Sequence, residues 1–459
     1  MNQWIMPAAA LAVVVAATAG LSAVPLAQPP VRLAPAPDAR VSVVCPAQST
    51  PNITQRLGAV ASGGPVRVGA LAADEGKDQP SLLTVVDALA EPSRVSAPRD
   101  DDFGAITWLT APDTSDRGMG ASGCAMPTTS QWFTGAELTP TTQAEIVLAN
   151  LDATDAAAAI TVWTKDGLQR APGLGAVKVL AGQTSTVPLN IQLTSDAPVA
   201  LRVASSSGRL VAYLRQRLWQ GAQPRGADWI PSGPAPARGL VVPGVPSGPG
   251  RRDLVIVNPG AKDAVVSVTM LGENGPVVPA GLDAIVVPAE STLTTDVAPS
   301  LAEQPGTLEI TSTTDVTAGV ILSTDGSDDQ TDPAFITAGT PLGPDGLWPF
   351  PVAKSTRLEL QLTNPSAAPA VATVTSASAP GKDEKVTQVE VPPETSLRVR
   401  MPSLAVAVVR VQTPSKELYG AMIATGKVGT INGLAVVGMS GALARTSVPA
   451  VEYDPHAGT

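Results

Sequence analysis

The chain has 459 residues and a formal net charge of −10, from 30 Lys and Arg against 40 Asp and Glu. At ~150 residues per domain that length predicts about three domains rather than one core, and 44% apolar residues with 41 Gly and 45 Pro is the composition of a chain that folds. The acidic balance excludes a broad electrostatic hold on nucleic acid, and the single histidine, His456, excludes His-based triads and two-His zinc sites in the folded body.

From Trp4 to Val31 there is no ionisable side chain, and Ile5 to Ala27 is mostly Ala, Val and Leu, long enough as a helix to span a hydrocarbon core. Residues 1–31 are therefore expected to be a signal peptide or membrane anchor. Ala17-Thr18-Ala19 has the small-x-small form of a cleavage site. The basic n-region is missing, and Arg32 and Arg40 follow the segment instead. The protein is expected outside the cytoplasm, either membrane-anchored or secreted. Residues 32–40, with Pro35 and Pro37, form a Pro-rich spacer. Cys45 and Cys124 are the only cysteines, and an even count in an oxidising compartment predicts one disulfide. It would close a loop of about 80 residues, for which loop entropy gives up to ~4.5 kcal/mol of stabilisation.

The middle and end of the chain repeat with a period of about 105 residues. Ile146–Leu151, Leu254–Pro259 and Glu359–Pro365 are alike, each centred on Asn150, Asn258 or Asn364. A second strand follows each (Ile160–Trp163, Val265–Val268, Val371–Val374), then a turn at Ala181–Ser185, Pro288–Thr292 and Pro393–Ser396. Short strands separated by Gly, Pro, Asn, Asp and Ser turns predict an all-β fold of tandem β-sandwich (Ig-like) repeats after the N-terminal membrane segment. A β-propeller-like closed array is the alternative. The expected units are 135–235, 236–345 and 346–459, preceded by 41–134, read as a degenerate copy that lacks the Asn-Pro strand and carries the disulfide. Short apolar strands ending in a turn bracket the copies at Val43–Pro46, Gln131–Gly135, Val241–Gly244, Pro349–Val352 and Ser447–Ala450.

The run Gly123-Cys124-Ala125-Met126-Pro127, followed by Trp132-Phe133-Thr134-Gly135 and a strand ending near Asn150, resembles the secreted proteins of high-GC Gram-positive bacteria grouped as domain of unknown function 5719. The resemblance covers most of the exported chain, including Val448-Pro449-Ala450-Val451. It implies an N-terminal membrane signal or anchor, β-rich extracytoplasmic repeats, and a gene near that of a large membrane glycosyltransferase, which points to work in the envelope. It brings no catalytic residue and no cofactor.

Candidate sites are few. Asp325, Asp328, Asp329 and Asp332 offer four carboxylates over eight residues, enough oxygen for a weak Ca²⁺ site if the loop curls; a solvated loop is the simpler reading, as it is for Asp100–Asp102. Trp219, Trp229 and Trp348 fall in Gly/Pro-rich stretches between copies, where exposed rings can stack on sugars or pack a hinge. Trp108 and Trp163 lie in alternating strands and are expected in the core. Asn150, Asn258 and Asn364 precede turns and are expected to bond their own backbone. No carboxylate pair stands out for glycosidic chemistry, and no Ser-x-x-Lys opens a helix. The expectation is a non-enzymatic, cofactor-free spacer or interaction scaffold, with the membrane and possible envelope proteins as partners and no nucleic acid. The alternative is a carbohydrate-binding protein acting on wall polysaccharide or assisting an envelope glycosyltransferase.

Overall fold

The computed structural model describes residues 40–48, 50, 52–72, 77–79, 83–87, 90–301, 304–324, 331–402 and 407–441. The expected membrane segment, the spacer before Arg40, the strand-like Ser447–Ala450, and Asp325, Asp328, Asp329 and His456 lie outside them. Among the described residues no helix is long and apolar enough to cross a membrane.

The structure is all-β, with several separate sheets. Its strands carry the period-two pattern of a one-sided core: Ala156–Thr164, Ala264–Gly272 and Ala370–Ala377 alternate buried with more exposed positions before turning wholly buried. One strand order recurs four times. In the second unit Ser130–Ala136, Val199–Ser207, Ala156–Thr164 and Gly167–Gln169 make one sheet, and Thr184–Pro188, Thr142–Ala149, Val211–Gln220 and Gln223–Ile230 make the other. A single apolar cluster drawn from both sheets fills the space between them, including Phe133, Ile146, Ile160, Leu201 and Leu214. The third unit runs one long strand, Gly306–Ser323, through both of its sheets. In the fourth, Asp345–Phe350 opens one sheet and Ile431–Met439 closes the other.

The first unit departs from expectation. It has the full strand set, with Thr54–Ala61 paired to Phe103–Ala111 where the other units place their Asn-bearing strand. Only the asparagine is missing: Ala61 pairs with Phe103 at the place in the ladder where Ala149, Val257 and Thr363 pair with Val211, Thr317 and Tyr419, so Ser62 occupies the position of Asn150, Asn258 and Asn364. The disulfide between Cys45 and Cys124 is present. Ser130–Ala136 pairs with Val199–Ser207, so Gln131–Gly135 opens the second unit and the boundary falls ahead of Ser130 rather than after residue 134.

The asparagines are buried latches. Each Nδ2 donates to the carbonyl four residues on (Thr154, Lys262 and Ala368, at 2.8, 2.7 and 2.7 Å) and to a distant carbonyl (Val179, Val287 and Val391, each 3.1 Å). Each Oδ1 accepts from the amide two residues on, Asp152, Gly260 or Ser366. The predicted turns also have a common shape: Gly182, Glu290 and Glu394 sit at φ +66°, +53° and +52°, the left-handed region that glycine enters without cost.

The four units form a closed ring. Val44 and Leu109 of the first unit share an apolar cluster with Tyr213 and Trp229 of the second. Val255, Ile321 and Phe335 of the third join the core of the second, Ile423, Leu434 and Val436 of the fourth join the core of the third, and Ile106, Trp108 and Met119 of the first join the core of the fourth. Opening strands supply close approaches at these seams. A Cβ at Gly135 would lie 3.1 Å from Ile321 Cγ1, and one at Gly58 would lie 3.1 Å from Pro351 Cδ.

Candidate functional site

The ring's axis is built from the strands that close each unit: Gly118–Gly123, Gln223–Ile230, Pro333–Thr337 and Ile431–Met439. Each lies at the edge of its sheet. The first contacts the second and fourth, and the third contacts the same two. An edge strand leaves every second N–H without a ladder partner, and burial at an axis makes such a group costly unless it finds an acceptor.

Two carboxylates answer this need. Asp332, fully buried, accepts from Met119 N at 2.8 Å and Leu434 N at 2.9 Å through Oδ2, so one side chain of the third unit ties the first and fourth. Asp228, 3% exposed, accepts from Ala121 N at 3.3 Å and from Trp229 N at 2.8 Å. Ala227 N donates to Arg117 O at 3.2 Å alongside. Burial holds both carboxyl groups well above the usual carboxylate range; for Asp228 the nearby Asp332 adds to the rise, while the amide hydrogen bonds oppose it in both. Gly118, at φ +116°, makes room for Asp332, because a Cβ there would overlap Oδ1.

Beside the axis a buried ion cluster joins the first two units. Asp116 receives Arg217 Nε at 2.8 Å, Arg215 through Nη2, and the Thr50 hydroxyl. Arg217 Nη1 also reaches Glu145 Oε1 at 3.2 Å, and Arg215 Nη1 donates to Gln48. Burial, then the like charge of Arg217, pulls the Arg215 pKa down, opposed by Asp228. The Tyr213 hydroxyl donates to Val44 O and accepts from Ala125 N at 3.1 Å, and burial pushes its pKa up.

At the end of the axis beyond Ala121 the strands part. A cavity of about 360 Å³ opens among Gly123, Gln131, Tyr213, Ser232 and Gly438, and a second of about 290 Å³ shares Ser232, Gly233, Gly438 and Ser440 with it. Among the described residues no Asp, Glu, Lys or Arg lines either. The ionisable groups of the axis are thus occupied in joining units, while the space open to a ligand offers hydroxyls, amides and apolar walls.

The sequence-predicted sites fare differently. Asp332 is not on a solvated loop; it is drawn into the axis by the edge amides it accepts, which leaves it unsuited to a calcium loop. Among the described residues no group of three or more His, Cys, Asp or Glu is placed to hold a metal ion. Trp219, Trp229 and Trp348 lie on strands rather than in linkers. Trp229 is 4% exposed and its ring is closed to ligand, while Trp219 and Trp348 are half-buried in different units. Trp108 and Trp163 are core residues, at 3% and 6% exposure, and Trp163 stacks on Trp132 with ring centroids 5.0 Å apart. Asp332 stands out in the sequence only as a calcium candidate and Asp228 not at all, although one signal is present: Asp228 interrupts the apolar run Ala227–Ile230, and a lone acid in such a run is either paired or functional.

A family profile, described as "Family of unknown function (DUF5719)", matches residues 87–402. The chain belongs to this family. The DUF5719 match runs from the first unit into the fourth and so takes in three of the four axial strands. Among solved structures, the chain is similar at 11% identity to an α-L-rhamnosidase of Streptomyces avermitilis complexed with L-rhamnose, covering 83% of this chain and 54% of that one, at a TM-score of 0.13. It is similar at 12% identity to Escherichia coli α2-macroglobulin activated by porcine elastase, covering 88% and 43%, at a TM-score of 0.11. The chain thus spans about half the length of these proteins, and such low TM-scores carry no inference about fold or function. No curated protein matches.

Proposed function

We propose that this DUF5719 protein is a non-enzymatic, extracytoplasmic scaffold of the cell envelope, four Ig-like sandwiches closed into a rigid ring and tethered or exported through its N-terminal segment. The observation that carries the reading is the use made of the axial acids: Asp332 spends its charge-bearing oxygen on amides of two other units. A preorganised catalytic acid needs an open path to a substrate, and this one is sealed. The disulfide suits an oxidising compartment. The test is affinity capture of the native protein from envelope extracts, with mass spectrometry of what it retains. Specific, stoichiometric envelope proteins support the scaffold, whereas hydrolysis of envelope glycans by the purified protein would overturn it.

The carbohydrate-binding reading keeps one support, the half-buried rings of Trp219 and Trp348. Retention on isolated wall polysaccharide that is lost in Trp219→Ala or Trp348→Ala favours it. Retention indifferent to both changes removes it.

A further inference from the structure

One sheet of the first unit runs Arg40–Cys45, Ser93–Pro98, Val66–Ala70 and Lys77–Gln79 in that order. Val43, Val95 and Val66 face the core of the unit, so by alternation Arg40, Ser42, Arg94, Ser96 and Arg67 fall on the opposite face. Register sets Ser42, Ser96 and Arg67 side by side in one row, with Asp78 at its end. Arg40 and Arg94 reach into that row from either side: Arg40 Nε donates to Ser96 Oγ and Arg94 Nε to Ser42 Oγ, both at 3.3 Å. Arg40 Nη2 is pinned by the carbonyls of Pro65 and Ser96 at 2.7 and 3.0 Å. A serine oxygen that accepts from an arginine keeps its own proton to give. The row therefore gathers guanidinium and hydroxyl donors, three positive charges against the one negative charge of Asp78, in a chain of net charge −10. All three arginines are half-exposed. At the place of Arg94 the second unit has Arg202, which lies over the Trp132 ring at 5.6 Å. The fourth has Arg410, paired with Asp345 at 2.5 Å and Asp102 at 3.1 Å. Among the described residues no ion pair or ring contact involves Arg94.

We propose that this face binds the phosphate headgroups of anionic lipid in the membrane that the N-terminal segment enters. This rests on the tether in the proposed function and deepens it by naming what the folded body meets at the membrane surface. The chemistry of the row selects an anion, because it presents donors and positive charge together, and phosphate oxygens accept from guanidinium and hydroxyl groups alike. The place of the row in the chain selects lipid. Arg40 is the first residue of the first strand, and residues 32–39, fully extended, hold it within ~30 Å of the expected membrane segment. A basic residue held near an anionic leaflet gains about fivefold in partitioning, an attraction that fades over a Debye length of ~10 Å. The acidic body as a whole is repelled by such a surface, so the basic face decides which side turns toward it.

The test reconstitutes the full-length oxidised protein into vesicles of phosphatidylcholine alone or of equal parts phosphatidylcholine and phosphatidylglycerol. Modification of each arginine by phenylglyoxal is then followed by mass spectrometry. On the anionic vesicles Arg67 and Arg94 should label about fivefold more slowly than on the neutral ones, and high salt should erase the difference. Arg238, exposed in the third unit, should label equally on both. Arg94→Gln should speed Arg67 labelling on anionic vesicles about fivefold, with an unchanged melting temperature. If that variant fails to fold, the lipid and salt comparison on the native chain decides alone. Equal rates on the two kinds of vesicle, or slowing of Arg238 as large as that of Arg94, overturns the proposal. So does equal slowing by inorganic phosphate on neutral vesicles, which would make the ligand a free phosphate. Recovery of the native chain outside the membrane fraction removes the tether and the role of this face with it. Equal labelling on both vesicles of a chain that stays in the membrane fraction removes the face and leaves the tether standing.

Discussion

Asp332→Ala strands the N–H groups of Met119 and Leu434 at a buried axis, since both donate to its Oδ2. A buried donor left without an acceptor costs ~1–3 kcal/mol, so the pair costs about 2–6 kcal/mol. For a body of about 400 residues, an unfolding entropy of ~2.1 cal/mol/K per residue converts this to a fall of about 2–7 °C in melting temperature, if the ring melts as one unit. Asp332→Asn keeps an acceptor oxygen and removes the buried ionisation. Because the folded-state pKa of Asp332 lies above its unfolded value, its contribution to stability is complete below an unfolded pKa of ~3.9 and is lost as pH rises through the folded value. Asp228 acts in the same direction. These two carboxyl groups should therefore subtract stability from about pH 4 upward, opposite in sign to the groups that drive ordinary acid denaturation. Asp332→Asn should flatten part of that slope and melt above the native protein at pH 8. Thermal melts of the native protein and both variants between pH 4 and 8 decide the matter. An Asn variant as unstable as the Ala variant, or an unchanged slope, would refute the reasoning.

Reduction of the Cys45–Cys124 bridge removes up to ~4.5 kcal/mol from the first unit, so limited proteolysis should cut between Ala47 and Met119 only after reductant, with the other three units persisting; identical fragment patterns would count against it. Asn258→Ala leaves the carbonyls of Lys262 and Val287 and the amide of Gly260 without their partner. It should cost about 2–4 kcal/mol in denaturant unfolding, and a loss below ~1 kcal/mol would show that the latch is ornamental. Glu273→Ala breaks only a half-exposed pair with Arg398 across the seam between third and fourth units; the expected change is under ~1 kcal/mol, and a larger one would mean that the seam relies on charge rather than apolar packing.

Much of the fold was legible because its signals are local. The asparagines recur where a strand must hand its carbonyls to a turn, and the Gly182, Glu290 and Glu394 turns share one backbone geometry. Cysteine arithmetic sufficed for the bridge. The first unit misled because Ser62 replaces the asparagine while the strand itself persists, so a motif search lost an element that alternation kept. Closure entered the sequence reading only as the alternative, a β-propeller-like array, because its seams leave no sequence signal. Its seams are made where residues such as Gly58 and Gly135 let another unit's side chains come close, and small residues leave no periodic signature. Four of the short strands flagged as brackets, Val43–Pro46, Gln131–Gly135, Val241–Gly244 and Pro349–Val352, lie at these seams, visible as repeats without any hint of which unit they lean on. The axial acids escaped for the same reason: Asp332 sits in an acidic run that reads as solvated, and its partners lie 213 and 102 residues away.

Small-angle X-ray scattering from the body between Arg40 and Gly441 tests the closed ring most directly. A compact chain of about 400 residues has a radius of gyration of ~21 Å, whereas four ~100-residue units of ~13 Å each strung end to end give about 40 Å. The closed arrangement predicts a value near the first, with a single-peaked distance distribution. A value near the second, or a distribution with a long tail, would contradict it.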